Sequence, residues 1–389
     1  LIHAATMVTS GVYLLTRMNP LIADSAGWVP DMVAWLGVGT ALFAATIAMA
    51  QTDIKKVLAY STVSQLGYMF LAVGSGAYVA AVFHMVTHAF FKALLFLGSG
   101  SVIHGMDGDQ DMRHYGGLRR FMPVTTGTFV VGWLAIAGVP PFSGFWSKDE
   151  ILTFAWNKSP VLWALGLLTA VLTAFYMTRL IALTFAGESR YAEQRTGEED
   201  AEAATRRADH TPHESPRTMT APLVVLAVLA VVAGFVQLPF SSSTRWLEHW
   251  LEPSLYANEV HLGTGGATQV LLAAIAVVGG LVGIGVAVAV YVKGRIAREP
   301  FEQPIFADAW RIDRSVAAFM GGPGRRGFEA TNRFDGQVVD GAVYGVAGLV
   351  RRLAGVLRMF HNGMVRTYAT GIGLGAVALL AWFLTRSTL

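Results

Sequence analysis

Three ionisable side chains, His84, His88 and Lys92, stand four residues apart within one apolar stretch. In an α-helix that spacing places them on one face, about 6 Å apart along the axis. A charge at mid-bilayer costs roughly 2.5–3.5 kcal/mol on insertion scales, so ionisable groups inside such a stretch are a functional signal. Two histidines at i and i+4 can bind a metal, but the stretch carries no cysteine or carboxylate, and Lys92 would repel a divalent ion. They can equally be satisfied structural groups. The favoured reading is a row of protonatable side chains with hydration between them, because histidine titrates near neutral pH and the proton affinity of a lysine follows its surroundings. No metal site is assigned.

A second candidate lies further on. Gly138-Val139-Pro140-Pro141-Phe142-Ser143-Gly144-Phe145 interrupts an apolar stretch, and Lys148-Asp149-Glu150 follows before a second apolar piece, Ile151 to Trp156. Prolines remove backbone donors and break the helical ladder. At membrane depth such a break persists only where protein or a wet cavity satisfies the freed groups, so a broken helix is predicted near 139–147. Lys148 sits just after it. The competing reading is an ordinary interfacial cap at Ser147-Lys148-Asp149-Glu150. His3, with Thr6 beside it, is a third candidate that on its own is no better than a core histidine. The stretch opening at Thr52-Asp53-Ile54-Lys55-Lys56 also carries Tyr60, Ser61, Thr62, Ser64, Gln65 and Tyr68, which either bond across helices or hold water. Nothing matches a nucleotide loop, a catalytic triad or a haem site. With no cysteine, thiolate metal sites, iron–sulfur ligation, Cys nucleophiles and disulfides are excluded.

The elements that would position these groups are spans. The chain has 389 residues, 53% apolar and 14% charged, with mean hydropathy +0.48. Soluble domains carry about 25% charged residues, so the composition excludes a soluble enzyme and points to lipid as the solvent. Helix-length apolar stretches recur near 1–18, 30–50, 57–74, 78–103, 122–139, 160–186, 219–238, 268–292 and 367–385. Alternating the intervening loops between two sides puts twenty-two Lys and Arg on one side and only Arg17, Lys158, Arg245 and Arg386 on the other. Basic residues accumulate in the cytoplasm, which assigns loops 51–56, 105–121, 187–218 and 293–366 there. The net charge of +3 is therefore topological, with no nucleic-acid partner expected. The first residues lie inside an apolar run without Met or a basic flank, so the chain is expected to begin partway through a longer protein.

Loop 187–218 mixes Glu, Arg, Ala and Thr and is expected to be a solvated linker. In 293–366 the apolar residues Val339, Val343, Val346, Val350, Leu353, Leu357, Phe360 and Met364 follow an unbroken four–three spacing. That stripes one face of a helix about 45 Å long, with Arg351, Arg352, Arg358 and His361 off the stripe. Such a helix is too polar to span and should lie along the membrane. Gly341, Gly345, Gly348 and Gly355 each disfavour an isolated helix by up to about 1 kcal/mol, so it is expected to pack against other helices.

Four motifs carry a family resemblance: Leu1-Ile2-His3-Ala4-Ala5-Thr6-Met7, Gln51-Thr52-Asp53-Ile54-Lys55-Lys56-Val57-Leu58-Ala59-Tyr60-Ser61-Thr62, His88-Ala89-Phe90-Phe91-Lys92-Ala93-Leu94 and Phe145-Trp146-Ser147-Lys148-Asp149-Glu150-Ile151-Leu152. In this order the chain resembles the antiporter-like subunit family of respiratory complex I, the NADH-quinone oxidoreductase. The lateral helix over 305–365 and last span are similar to the bacterial L-type members. The resemblance implies an all-α polytopic membrane fold built on inverted five-helix repeats with a broken helix. It divides the chain into the end of a first repeat (1–29), a second repeat (30–186), a cytoplasmic loop (187–218), two further helices (219–292), an amphipathic lateral region (293–366) and a C-terminal span (367–389). It also implies a first half, with a Glu–Lys pair, that this chain lacks.

By the same resemblance His3, His84 and His88 lie on a hydrophilic axis, Lys92 is its middle lysine, Lys148 its proton-exchanging end and Asp149 a local counter-charge. The implied function is proton translocation as a subunit of the oxidoreductase in the bacterial inner membrane. Flavin, iron–sulfur clusters and quinone would be held by partner subunits and none by this chain, with neighbouring antiporter-like subunits meeting the lateral helix. The alternatives are the large subunit of a multi-subunit cation/proton antiporter and a structural clamp of the membrane arm.

Overall fold

The computed structural model describes residues 2, 6–191, 211–255, 258, 260, 262–263, 265–361 and 363–387. His3 lies outside them, as do residues 192–210 of the expected linker. Every regular element among the described residues is helical, with two isolated bridges, Asp53 to Asp111 and Gln237 to Arg245. The chain divides into two units, Leu1–Trp310 and Arg311–Leu389.

In the first unit α1 (Ser10–Arg17) and the short α2 (Asn19–Ala23) precede α3 (Trp28–Ala50), α4 (Ile54–Gly74), α5 (Tyr78–Gly105), α6 (Pro123–Ala137), α7 (Ser143–Lys158) and α8 (Pro160–Phe185). After them come α9 (Arg217–Val232), α10 (Trp246–Leu255) and α11 (Gly266–Tyr291). Six helical stretches of this unit are long and apolar enough to cross a membrane: α3, α4, α5, α8, Arg217–Val236 and α11. The stretch expected at 122–139 is the short apolar α6, broken from α7 as the double proline requires. In the stretch expected at 1–18, the α-helix of the described residues starts only at Ser10.

Helices α3 and α4 pack through small residues. A Cβ on Gly67 would meet Gly37 and Ala41, and one on Gly74 would meet Ala34 and Pro30, so the two backbones touch, as in lipid-embedded helix pairs. Two apolar clusters fill the unit. One gathers Phe91, Leu94, Phe129, Phe175 and Leu180; the other gathers Val38, Tyr68, Leu71, Tyr78 and Ile151. Helix α5 contributes its residues 78–81 to the second and 91–102 to the first. His84 and His88 occupy the interval.

The second unit holds α12 (Ile312–Phe319), α13 (Arg325–Phe334), α14 (Asp340–Phe360) and α15 (Val365–Arg386), the last long and apolar enough to span. Two π-turns, Met320–Gly324 and Asp335–Val339, join the first three, making one helical run from 312 to 360, about 70 Å at the standard rise. It begins well before the stripe that the sequence marks from Val339. Pro323 explains the first wide turn, since it lacks an N–H and crowds the preceding turn. At the second, the extra residue lets Phe334 and Val339, five apart, start and continue one stripe. The run does not reach Met364 as expected: His361 leaves helical space at φ −105, ψ 62, and Gly363 takes φ 73.

Candidate functional site

His84, His88 and Lys92 are all 0% exposed, on one face of α5 as their spacing required. Lys92 Nζ donates to the Leu58 carbonyl at 3.0 Å and to Ser61 Oγ at 2.6 Å, both on α4, and lies 5.8 Å from the centre of the Phe96 ring. One turn back, His88 has no hydrogen-bond partner on either ring nitrogen. Its ring meets Phe91 edge-on at 5.4 Å and stands 6.1 Å from the His84 ring. His84 is held from two helices: its Nε2 is 3.2 Å from Gln65 Oε1 on α4 and its Nδ1 2.9 Å from Ser147 Oγ on α7. Ser147 Oγ is also 2.8 Å from Thr87 Oγ1. The row on α5 is thereby joined to the broken helix.

The break is built as its residues demand. Helix α6 ends with Gly138 in the left-handed region (φ 75), with Gly138 N bonded to the Ala135 carbonyl and Val139 N to that of Leu134; glycine has no Cβ to penalise that conformation. Gly144 then passes against the Ala135 carbonyl, where a Cβ would collide. The last carbonyls of α6 have no intrahelical donors, and the negative end of the helix dipole lies there. Lys148 supplies a donor: its Nζ, on a residue 4% exposed, bonds to the Ile136 carbonyl at 2.7 Å over the Tyr68 ring at 5.4 Å. Tyr68 OH is fixed in turn by Gly166 O at 2.5 Å. Asp149, expected as the counter-charge of Lys148, has its Oδ1 buried without a hydrogen-bond partner.

The residues on α4 that sequence alone left undecided now divide. Ser61 and Gln65 serve the row, Ser64 bonds across to the Ala41 carbonyl at 2.9 Å, and Thr62 bonds back to Leu58. Sequence reasoning missed Thr87, Ser147 and Tyr176. Tyr176 is 0% exposed; its hydroxyl faces Ser61, Ser64, Gln65 and Thr173 but has no bond within hydrogen-bond distance. With His88 and Gln65 Nε2, it adds to a set of unpaired polar atoms between the Lys92 and His84 ends. Their common signal, a hydroxyl in an apolar span, is too frequent to single them out. Among the described residues no group of three His, Asp or Glu side chains is placed to hold a metal ion. The arrangement can store and pass protons: two buried ammonium sites, two imidazoles between them, and hydroxyl and amide groups able to donate and accept.

A different buried charge closes the loop-bearing end of the unit. Arg179 on α8, 2% exposed, bonds to Glu302 Oε1 at 2.9 and 2.8 Å and to the Gln51 carbonyl at 2.6 Å. Tyr291 OH reaches the same oxygen of Glu302 at 2.9 Å. Gln51 Nε2 to Ala307 O and Trp310 Nε1 to Thr46 Oγ1 extend the attachment of segment 293–310.

Residues 1–173 match the family model described as NADH:quinone oxidoreductase/Mrp antiporter, TM. The chain is 44% identical to NAD(P)H-quinone oxidoreductase chain 5 of Picosynechococcus sp., covering 97% of this chain and 59% of that protein. It is 42% identical to NADH-quinone oxidoreductase subunit L of Mycobacterium tuberculosis, covering 98% and 58%. The chain thus spans about three-fifths of the length of the curated relatives it matches. Among solved structures, a chain of the Mrp complex from Dietzia sp. aligns with TM-score 0.55 at 25% identity, over 99% of this chain and 37% of that one.

Proposed function

We propose, from the premise that the chain belongs to the NADH:quinone oxidoreductase/Mrp antiporter family of membrane subunits, that it translocates protons through the Lys92–His88–His84–Lys148 row as part of an NADH-quinone oxidoreductase. One observation carries the reading. Two lysines and two histidines lie fully or almost fully buried in a membrane-spanning bundle, and His88 has both ring nitrogens unpaired. A purely structural polar core would satisfy its members; unpaired groups in line with two ammonium sites suit hydration and proton exchange.

In this mechanism a lysine takes a proton from one side. A change of charge at a neighbouring site, driven by quinone reduction in other subunits, alters its proton affinity and sends the proton onward. At about 1.4 kcal/mol per pKa unit, a swing of a few units supplies several kcal/mol. Lys92 and Lys148 are the exchanging groups, His84 and His88 the links, and Asp149 a charge next to the exit lysine; His3 belongs to the axis on its motif alone. Flavin, iron–sulfur clusters and quinone belong to partner subunits, and neighbouring membrane-arm subunits meet the amphipathic helices of 293–366. Residues 30–186 form the antiporter repeat, 187–218 a cytoplasmic loop, 219–292 two added helices and 367–389 an anchor, in a bacterial inner membrane with 51–56, 105–121, 187–218 and 293–366 on the cytoplasmic side.

The Mrp likeness favours a second reading, the large subunit of a cation/proton antiporter. Lys92→Ala and Lys148→Ala in the assembled complex separate the readings. Reduced proton movement per electron with intact assembly supports the first. Sodium-dependent growth independent of NADH oxidation supports the second. An undiminished proton ratio with normal assembly supports a structural clamp.

A further inference from the structure

Helix α10, with 10 residues, is too short to span a bilayer, yet it is pinned at both ends to the ends of spans. The stretch Arg217–Val236 has 20 residues, about 30 Å at the standard rise, which matches the hydrocarbon thickness. Gln237 therefore stands at the lipid–water boundary. It pairs with Arg245 as an isolated bridge, and its side chain holds Glu248, Nε2 donating to Oε2 at 3.2 Å and Oε1 accepting from the backbone N at 3.2 Å. The first turn of α10 is thereby returned to the depth at which the span ends. Its last turn is held as well: Asn19 Nδ2, ahead of α3, donates to the Ser254 carbonyl at 3.2 Å. Beyond it Val260 N bonds to the carbonyl of Gly76, between α4 and α5, at 3.1 Å. Helix α10 thus lies across the span ends at their own level.

Its surface has three sectors. Leu251 and Leu255 pack on the second apolar cluster. At about 100° per residue, Trp246, Trp250 and Pro253 fall within about 60° of one another, with the two tryptophans 68% and 75% exposed. His249 and Glu252 occupy the remaining sector as an exposed pair 3.9 Å apart. Trp246 Nε1 already donates to the Ser243 carbonyl at 2.9 Å, so its ring carries no unmet donor into an apolar medium. Phe240, 73% exposed, adds a third ring to the same loop, braced edge-on against Trp146 at 5.5 Å.

This division fits one surrounding. The leucine sector has protein, the charged sector needs water, and indoles favour the boundary between lipid and water. A protein covering the whole exposed side would also have to desolvate Glu252, whereas a bilayer leaves it wet. From 237 to 255 the charges are Arg245 against Glu248 and Glu252, so attraction to anionic headgroups does not drive the contact. We propose that α10 is an interfacial helix that seats Trp246 and Trp250 among the glycerol and carbonyl groups of the phospholipid leaflet on the Arg245 side. It sets the depth of the span ends to which it is bonded.

The test uses the whole assembled complex in vesicles of phosphatidylcholine with phosphatidylglycerol. The chain has no cysteine, so Trp250→Cys and Glu252→Cys each give it one site for a nitroxide label; the wild-type complex treated alike supplies the background of partner subunits. Collisions are read with oxygen, which concentrates in lipid, and with a water-soluble nickel chelate. The oxygen-to-chelate ratio is expected to be several-fold higher at residue 250 than at 252, and to persist in phosphatidylcholine alone. A ratio at 250 no higher than at 252 overturns the proposal, because the helix then faces water. Protection of residue 250 from both reagents overturns it in favour of a protein cover, and a ratio that collapses without phosphatidylglycerol overturns the uncharged contact. Where Trp250→Cys does not assemble, Trp246→Cys takes its place with the same expectation.

Discussion

The Arg179–Glu302 pair gives an energetic prediction that is asymmetric in sign. Arg179 is 2% exposed, whereas the Glu302 side chain is 33% exposed. Glu302→Leu strands a buried guanidinium that keeps only the Gln51 carbonyl at 2.6 Å and the Tyr291 ring at 5.5 Å; removing one partner of a buried pair in this way costs about 3–5 kcal/mol. Arg179→Met leaves a carboxylate that water already reaches and that still accepts from Tyr291 at 2.9 Å, so its cost is nearer to the loss of hydrogen bonds to a charged group, about 1.5–3 kcal/mol. The double variant removes both charges and, as for other buried pairs replaced by apolar side chains, is expected to be more stable than Glu302→Leu alone. The assay is thermal unfolding of the detergent-solubilised complex, with single and double variants compared in one cycle. If Arg179→Met proves the more damaging single change, or the double variant the least stable of the three, the burial asymmetry does not govern this site.

Two further outcomes are expected. In the loop outside the membrane, burial pushes the Asp111 carboxyl up, but Arg113, joined to it through side-chain and backbone hydrogen bonds, outweighs burial and holds it below the usual carboxylate range. A carboxyl lowered in the folded state stabilises above its unfolded value and loses that contribution as pH falls through the folded one. Arg113→Gln should therefore speed amide exchange over 107–117 at neutral pH, with the difference from wild type vanishing in strong acid; a difference independent of pH would refute the ion-pair account. For topology, single cysteines placed by Lys158→Cys and Arg119→Cys should react with an impermeant maleimide from opposite sides of the membrane, and labelling of both from one side would refute the loop assignment.

Much of the site was legible because its members share one helix. His84, His88 and Lys92 announce themselves by a four-residue period in an apolar run, and Lys148 by the prolines before it. Their partners were not legible, since Ser147 lies 63 residues from His84 and Ser61 lies 31 from Lys92. Hydroxyls in spans commonly bond back to their own helix, as Thr62 and Thr173 do here, so their types carry little signal. Arg179 falls inside the apolar stretch 160–186, but its partner Glu302 is 123 residues away. In the amphipathic region the four–three stripe was visible from Val339; the five-residue step from Phe334 also lay in the sequence, and only a π-turn makes it continuous.

His88 offers the most direct test of the proton row. It makes no hydrogen bond through either ring nitrogen, so His88→Leu, close in volume, removes no structural bond and relieves two buried unpaired polar atoms at a cost of no more than about 1.5 kcal/mol in packing. The measurement is the proton-to-electron ratio of the assembled complex in sealed vesicles, taken with its thermal stability. The account predicts wild-type stability with a lowered ratio. A lowered stability with an unchanged ratio would contradict it and make His88 a packing residue.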